Sequence, residues 1–289
     1  MEVYNEIKII KGFDSSAEFA SLFSEKLPPN LTTFNIKQKD IYSNAQHRFI
    51  LTDKGTASII NNSSIKLGDV ADVVTGFYTG DNKRFIRALN DSVKGGKSYE
   101  KIKSSLIFEC DSLNGIPNVD EGYIPYVKSA SKTRYFRTSD EWFVRWDSET
   151  IKFYNSNGKS RFQNSSFYFK TGVAIPMVKS STIKAFMIDK RVFDQSIVGI
   201  FPKDETKLLY ILALMNSDVI NELIHIINPT ANNSANYIKQ IPYIEPSPEM
   251  ISEISKKVKL IKKYIIDNEY DKCDEIHDEI NTMIHQIYQ

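Results

Sequence analysis

The chain has 289 residues, with 37 Lys and Arg against 36 Asp and Glu, and 41% of it is hydrophobic. That length builds one large domain or two modest ones, and no apolar run reaches the roughly eighteen residues needed to span a bilayer. Two cysteines, Cys110 and Cys273, are too few and too widely spaced for a disulfide framework or a zinc site. The first twenty residues carry acidic groups and no apolar core, so the reading expects no secretory signal and a cytoplasmic chain with reduced thiols.

Along the chain, Val3 to Ile10 is β-rich, Ser15 and Glu18 have capping-box spacing, and Phe19, Leu22 and Phe23 follow at helical spacing. Residues 31–37 then alternate as a strand does. This predicts a strand–helix–strand unit over 1–66, ended by the polar run Asn61-Asn62-Ser63-Ser64. From Leu67 to about residue 246 the pattern turns irregular, with short β-like runs at Val70–Val74, Phe143–Trp146, Ser166–Lys170, Ala185–Ile188 and Ile197–Phe201. Gly- and Asn-containing turns separate them. Residues 206–227 read as two helices meeting near Asn216-Ser217-Asp218, with Ser217 or Asp218 as the second cap.

The segment 247–289 differs in kind. Ser247-Pro248-Glu249 starts a helix with proline at its first position. Ile251, Ile254, Val258 and Ile261 then share one face, and Cys273, Ile276, Ile280 and Ile284 share the face of a second helix. The polar joint Asp267–Asp271 lets the two pair. The fold class expected is mixed α+β: an irregular, β-rich domain over 67–246 followed by a C-terminal helical hairpin.

The near-neutral total hides a segregation. Residues 128–207 hold 15 Lys and Arg against 8 Asp and Glu, a net +7, whereas 208–289 hold 7 against 12, a net −5. A basic stretch of this kind attracts phosphate backbones when it gathers on one face; scattered over a solvated surface it does nothing specific. Within it, Lys128, Lys132, Arg134 and Arg137 alternate with hydroxyls and aromatics. Arg161 stands beside Gln163 and Asn164, and Lys179, Ser180 and Lys184 frame a third polar cluster. Arginine matches guanine edges and amides match adenine, while Lys, Ser and Thr mostly hold phosphates.

Catalytic signatures are sparse. A phosphate-binding glycine loop needs a spacing that Gly76-Phe77-Tyr78-Thr79-Gly80-Asp81-Asn82 does not have, although the backbone of such a loop can lie against a DNA phosphate. Asn228-Pro229-Thr230 lacks the second proline and the aromatic with which an adenine methyltransferase holds a flipped base. Asp147, Glu149 and Lys152 form the best carboxylate–lysine cluster for a metal-dependent nuclease. His277 and His285 share a helix at a spacing unsuited to a metal.

The run from Leu67 through Gly76, Phe77, Tyr78, Thr79, Gly80, Asp81, Asn82, Lys83 and Arg84 to Phe85 resembles the opening of the TaqI-like specificity domain. That domain follows the catalytic domain of adenine-specific DNA methyltransferases and type IIG restriction–modification enzymes. Residues 128–179, with Trp142, Trp146, Asn157-Gly158 and Gly172, are similar to the matching region of the BREX methyltransferase PglX, a phage-defence family. Phe193-Asp194 to Pro202, the stretch 211–243 with Asn228-Pro229-Thr230, and Asp278 to Tyr288 continue the likeness, which covers roughly 65–289. Residues 1–66 resemble the link between catalytic and recognition domains.

The resemblance implies a target-recognition module for double-stranded DNA. It would work with a methyltransferase, or also a nuclease, in cis or in trans, and S-adenosylmethionine would belong to that catalytic partner. It implies no cofactor or metal in this chain, no membrane partner and no catalytic residue. Lys128, Lys132, Arg134, Arg137, Lys179, Ser180 and Lys184 would hold phosphates, and Arg161, Gln163 and the loop of Thr79, Asp81, Asn82, Lys83 and Arg84 would reach bases or grooves. Two departures bear on this. Val173-Ala174-Ile175-Pro176 stands where relatives carry a Trp-Ser pair, and Ala130 to Phe136 is a reduced form of a Gly-Gly and Arg-Lys-Trp-Tyr run. Two other readings stay open: a metal-dependent nuclease using Asp147 and Glu149, and a protein-interaction or decoy module with the same fold.

Overall fold

The computed structural model describes residues 6–13, 15–20, 31–43, 59–60, 63–178, 182–228, 230 and 232–289. It divides into two compact units, Met1–Ser64 and Ile65–Gln289. In the first, β1 (Glu6–Lys11) pairs antiparallel with β2 (Thr32–Lys37), with Glu6 opposite Lys37 and Lys11 opposite Thr32. Helix α1 (Ser16–Ala20) and helix α2 (Gln38–Ser43) complete what is described there. The pair rests on alternation, with Ile7, Phe34 and Ile36 less exposed than their neighbours.

In the second unit, α3 (Leu67–Val70) leads into β3 (Ala71–Thr75), and α4 (Asn82–Phe85) into β4 (Ile86–Ala88). There follow β5 (Tyr123–Val127), β6 (Trp142–Arg145), α5 (Ser148–Ser156), β7 (Gly172–Pro176), β8 (Phe186–Ile188), β9 (Val192–Phe193) and β10 (Ile197–Pro202). One sheet has the order β3-β10-β7-β8 and is antiparallel throughout; the other has the order β4-β6-β5-β9. In the second sheet β9 lies parallel to β5, with Tyr126 opposite Val192 and Val127 opposite Phe193. Strands β9 and β10 are joined by Asp194, Gln195 and Ser196 alone, so one short turn couples the two sheets.

β5, β7 and β10 are buried along almost their whole length. They read as continuous apolar runs because both of their faces are covered. The shared core is rich in aromatics: Phe77, Tyr126, Trp146, Tyr154 and Phe193 are all essentially inaccessible. Ser166–Lys170, expected as a strand, is instead a 3-10 turn (Ser165–Phe167) and its exit. Asn164 and Phe169 hold φ values of +57° and +61° there, which breaks any extended run. Tyr168 is buried between them.

Helix α6 (Leu208–Asn216) is buried on all sides, and α7 (Asp218–Ile227) starts at Ser217, whose hydroxyl accepts the Ile220 amide. The two meet at a 71° bend, and among the described residues no single helix is long and apolar enough to cross a membrane. The bend lies at Ser217, whose extended backbone (φ −74°, ψ 154°) interrupts the helix, and the Asn216 side chain just before it clamps Ala185. Its Oδ1 accepts Ala185 N–H at 2.9 Å and its Nδ2 donates to Ala185 C=O at 3.0 Å. A one-turn helix α8 (Ala235–Ile238) follows.

The C-terminal hairpin is α9 (Pro248–Ile266) and α10 (Tyr270–Tyr288). Ser247 caps α9 by accepting the Met250 amide. The face read from the sequence is the buried one, with Ile254, Val258, Ile261, Ile280 and Ile284 at zero exposure. Each contributes about 1.5–3 kcal/mol by leaving water. Polar contacts fix the hairpin's position: Asn281 Oδ1 accepts the Asp218 amide at 3.1 Å, and the Tyr288 hydroxyl donates to Pro242 C=O at 2.8 Å. His277 Nδ1 and the Tyr135 hydroxyl share a 2.7 Å hydrogen bond. Asn281 Nδ2 lies 3.4 Å from His277 Nε2. Burial, and then the nearby Arg134 charge, hold the His277 pKa below the ordinary histidine value.

Candidate nucleic-acid interface

The run Gly76 to Phe85 leaves β3 and is shaped by what its inward groups touch. Gly76 has no room for a side chain, since a Cβ there would lie 1.9 Å from Phe193 O. The close approach lets Phe77 N–H donate to Phe193 O at 3.1 Å while Phe77 C=O accepts from Gln195 N–H at 3.1 Å. Phe77 C=O also accepts the Tyr126 hydroxyl at 3.1 Å. Its ring sits among Tyr126, Trp146, Tyr154, Phe162 and Tyr168. Tyr78 and Arg161 exchange two backbone hydrogen bonds, of 3.2 and 2.9 Å, which brings the turn 157–160 against the loop. Gly80, at φ +84°, then reverses the chain.

Thr79 is fully buried; its hydroxyl donates to Asn82 Oδ1 at 2.9 Å and its carbonyl accepts from Ser160 Oγ at 2.7 Å. Asp81 caps α4 by accepting Arg84 N–H at 3.1 Å. Thr79 and Asp81 build the loop, and what it presents are Lys83 and Arg84. The Lys83 ammonium lies 4.1 Å from the Tyr99 ring centre and donates to Ser98 C=O. The Arg84 guanidinium lies 4.8 Å from Phe85 and 5.2 Å from Phe153. Both are exposed. With Lys159, Asn82, Asn157 and Tyr78 they line an open cleft of about 530 Å³. Arg161 borders it, over the Tyr78 ring at 5.7 Å and donating to Gln195 Oε1 at 2.6 Å. Gln163 turns away from the cleft, its Nε2 donating to Gly76 C=O at 2.9 Å and Thr75 Oγ1 at 3.2 Å.

The cations of 128–137 lie elsewhere. Lys128, with its side chain 15% exposed, pairs with buried Asp194 at 3.4 Å. Asp194 also accepts the Tyr126 hydroxyl at 2.9 Å and the Ser196 amide at 2.9 Å. Burial first, and the Asp194 carboxylate second, hold the Tyr126 hydroxyl protonated far above the usual tyrosine range. Lys132 is 71% exposed and pairs with Glu141 at 3.0 Å. Arg134 reaches Asp274 on α10 at 3.9 Å, and Lys184 donates to Lys132 C=O at 3.4 Å. Lys132, Arg134 and Lys184 share a hollow with Tyr270, Cys273 and His277 of α10. Arg137 lies over the Phe186 ring at 5.7 Å, and burial draws its pKa down. Lys179 and Ser180 lie outside the described residues. The structure thus divides the sequence candidates in two: Asn82, Lys83, Arg84 and Arg161 at the loop cleft, and Lys132, Arg134, Arg137 and Lys184 toward the hairpin.

Lys159 and Asn157, which join the first group, were not singled out as contacts. Long-range bonds, between the backbones of Tyr78 and Arg161 and from Ser160 Oγ to Thr79 C=O, bring their turn to the loop. The carboxylate cluster also resolves. Asp147 is buried as the cap of α5, accepting Thr150 N–H at 2.9 Å and Arg145 Nε–H at 2.6 Å. Glu149 points to solvent, 81% exposed, and pairs with Lys152. Among the described residues no group of three or more His, Cys, Asp or Glu is placed to hold a metal ion.

Comparison with known proteins adds a weak but directed likeness. The chain matches no protein-family model. It is 21% identical over 220 residues to the adenine-specific methyltransferase PglX of Lacticaseibacillus casei (strain Zhang), a match covering 71% of this chain and 17% of that protein. Among solved structures, the type IIG restriction endonuclease BpuSI has a TM-score of 0.40 and 14% identity, over 98% of this chain and 40% of its own. The type IIL restriction–modification enzyme MmeI, in complex with DNA, has a TM-score of 0.49 and 15% identity, over 89% of this chain and 37% of its own. The chain therefore spans less than a fifth of the curated relative and about two fifths of either solved chain.

Proposed function

We propose that this chain is a TaqI-like target-recognition module that binds double-stranded DNA for an adenine-specific methyltransferase of a restriction–modification or BREX-type system. The observation that carries the reading is the cleft beside the Gly76–Phe85 loop. There Lys83, Arg84 and Lys159 converge beside aromatic and amide groups, with Asp81 as the carboxylate among the lining residues and Arg161 over the Tyr78 ring at the edge. Cations of this density attract phosphates, and arginine beside amides suits base edges in a groove. The sequence likeness to an adenine-specific methyltransferase supplies the class of partner. The catalytic centre and its S-adenosylmethionine would belong to that partner, and the hairpin, with its acidic α10, would dock or space the module against it.

The test is retention of a random duplex library by the chain over a salt series. Binding should weaken steeply with salt, and Lys83→Ala, Arg84→Ala and Lys159→Ala should each reduce the log–log slope by about one phosphate contact. Lys128→Met, which removes an inward cation, should leave the slope unchanged. Absent retention, or retention indifferent to salt, would remove DNA from the proposal.

A further inference from the structure

A second cavity, of about 750 Å³, opens between the sheet region and the hairpin. Its size falls in the range of small-molecule sites, roughly 300–1,000 Å³. Its composition is unusual for a gap between packed elements. Arg137 and Arg191 enter from the β-domain, and Lys259 and Lys262, one turn apart on α9, from the hairpin. The carboxylates that line it are Asp140 and Asp189, and Asp140 is already engaged by Arg191, at 3.1 Å. The Lys262 ammonium lies 5.5 Å from the Phe136 ring centre. Phe136, Met187, Ile265 and the 69%-exposed Ile266 supply an apolar floor.

Arg137 is the most telling of these groups. Its Nη2 donates to Ser139 C=O at 3.3 Å, while its Nη1 is buried without a hydrogen-bond partner among the described residues. A guanidinium nitrogen taken out of water and left unbonded is costly. That nitrogen is closed to solvent, so an occupant of the cavity would bond it only after the guanidinium turns outward. Two lysines on the opposite wall repeat the preference for a multiply charged anion that accepts several charge-assisted bonds at once. The apolar floor calls for an anion with a flat or greasy body.

We propose that this cavity is a binding site for a small organic phosphate, of the mononucleotide class. Its phosphates would lie between Arg137 and the Lys259–Lys262 pair, and its base against Phe136 and Met187. Because the walls belong to the β-domain and the hairpin, an occupant would tie the two together. The proposal does not depend on the DNA reading, since none of these residues lines the loop cleft.

The probe is ADP, titrated calorimetrically into the full chain, with adenosine and pyrophosphate as separate arms. ADP should bind, and adenosine should bind at least about tenfold more weakly. The double variant Lys259→Glu, Lys262→Glu changes exposed residues and should keep the thermal midpoint while weakening ADP at least about tenfold. Arg137→Gln should weaken it as well. The double variant should also leave retention of duplex DNA unchanged. No ADP binding at millimolar concentration, or ADP binding unaffected by the double variant, overturns the proposal. Displacement of ADP by a short duplex would assign the cavity to the DNA surface and overturn it equally.

Discussion

Replacing Gly76 by alanine tests the loop's construction directly. The added methyl would lie 1.9 Å from Phe193 O and 2.6 Å from Asp194 O, both backbone atoms of the turn that joins the two sheets. Neither can swing aside as a side chain can, so loop and turn must part by an ångström or more. That separation breaks the bonds of Phe77 N–H to Phe193 O and of Gln195 N–H to Phe77 O, and strains the Tyr126 hydroxyl bond to the same carbonyl. At about 1 kcal/mol for each of two hydrogen bonds, plus about 1–3 kcal/mol for overpacking a filled core, the loss is about 3–5 kcal/mol. For a unit of this size each kcal/mol moves the midpoint by about 2–4 °C, so scanning calorimetry should show a drop on the order of 10 °C. Gly158→Ala is the control, because nothing lies within 4 Å of a Cβ there and its turn carries the neighbouring Lys159. It should stay within about 0.5 kcal/mol of the parent. A Gly76→Ala protein as stable as Gly158→Ala would refute the account of the loop as a backbone clamp.

Three further outcomes are expected. Asp147→Ala removes a buried cap and the partner of Arg145, and should cost about 2–4 kcal/mol in urea unfolding; Glu149→Ala should cost almost nothing, and equal losses would contradict the separate roles. Asn216→Ala leaves the Ala185 N–H unbonded in the core, while Ala185 C=O keeps the Tyr135 N–H at 2.8 Å, and should cost about 1–3 kcal/mol, so a loss below about 0.5 kcal/mol would show that Asn216 is no clamp. His277 is held neutral, with a folded-state pKa below the ordinary 6.5. As pH falls below that value the unfolded chain takes up a proton that the folded one refuses, so stability should decline on acidification and level off above it. Asp218, Asp274 and Asp278 oppose the shift, and burial and Arg134 outweigh them. His277→Phe should flatten that part of the profile, and an undiminished slope would place the titration elsewhere.

The hairpin and the α6–α7 bend were legible because local rules decide them. Isoleucines at helical spacing and serines at Ser217 and Ser247 need no distant partner to be read. The sheets were less so. β5, β7 and β10 are buried on both faces and show no alternation, and the parallel pairing of β5 with β9 joins residues far apart in sequence. The candidate interface was legible in residue type and not in direction. Lys128 and Lys83 look alike in the sequence, yet Lys128 turns inward because Asp194, 66 residues away, is buried beside it. Seven of the fifteen cations of 128–207 pair with carboxylates among the described residues, and the cleft recruits Lys83 and Arg84 from a segment with no basic excess.

The bond between Tyr135 and His277 spans 142 residues of sequence, and that between Pro242 and Tyr288 spans 46. Tyr135 and the face of α7 that meets Asn281 are therefore covered only after α10 has been synthesised. Until then the nascent chain exposes apolar helix faces of the kind that associate wrongly, and the long loops to be closed slow the final step. A ribosome that stalls before residue 270 would release a chain with its loop cleft encoded in full and its hairpin face bare. Such a product is expected to fall to chaperones and proteases before it meets any partner.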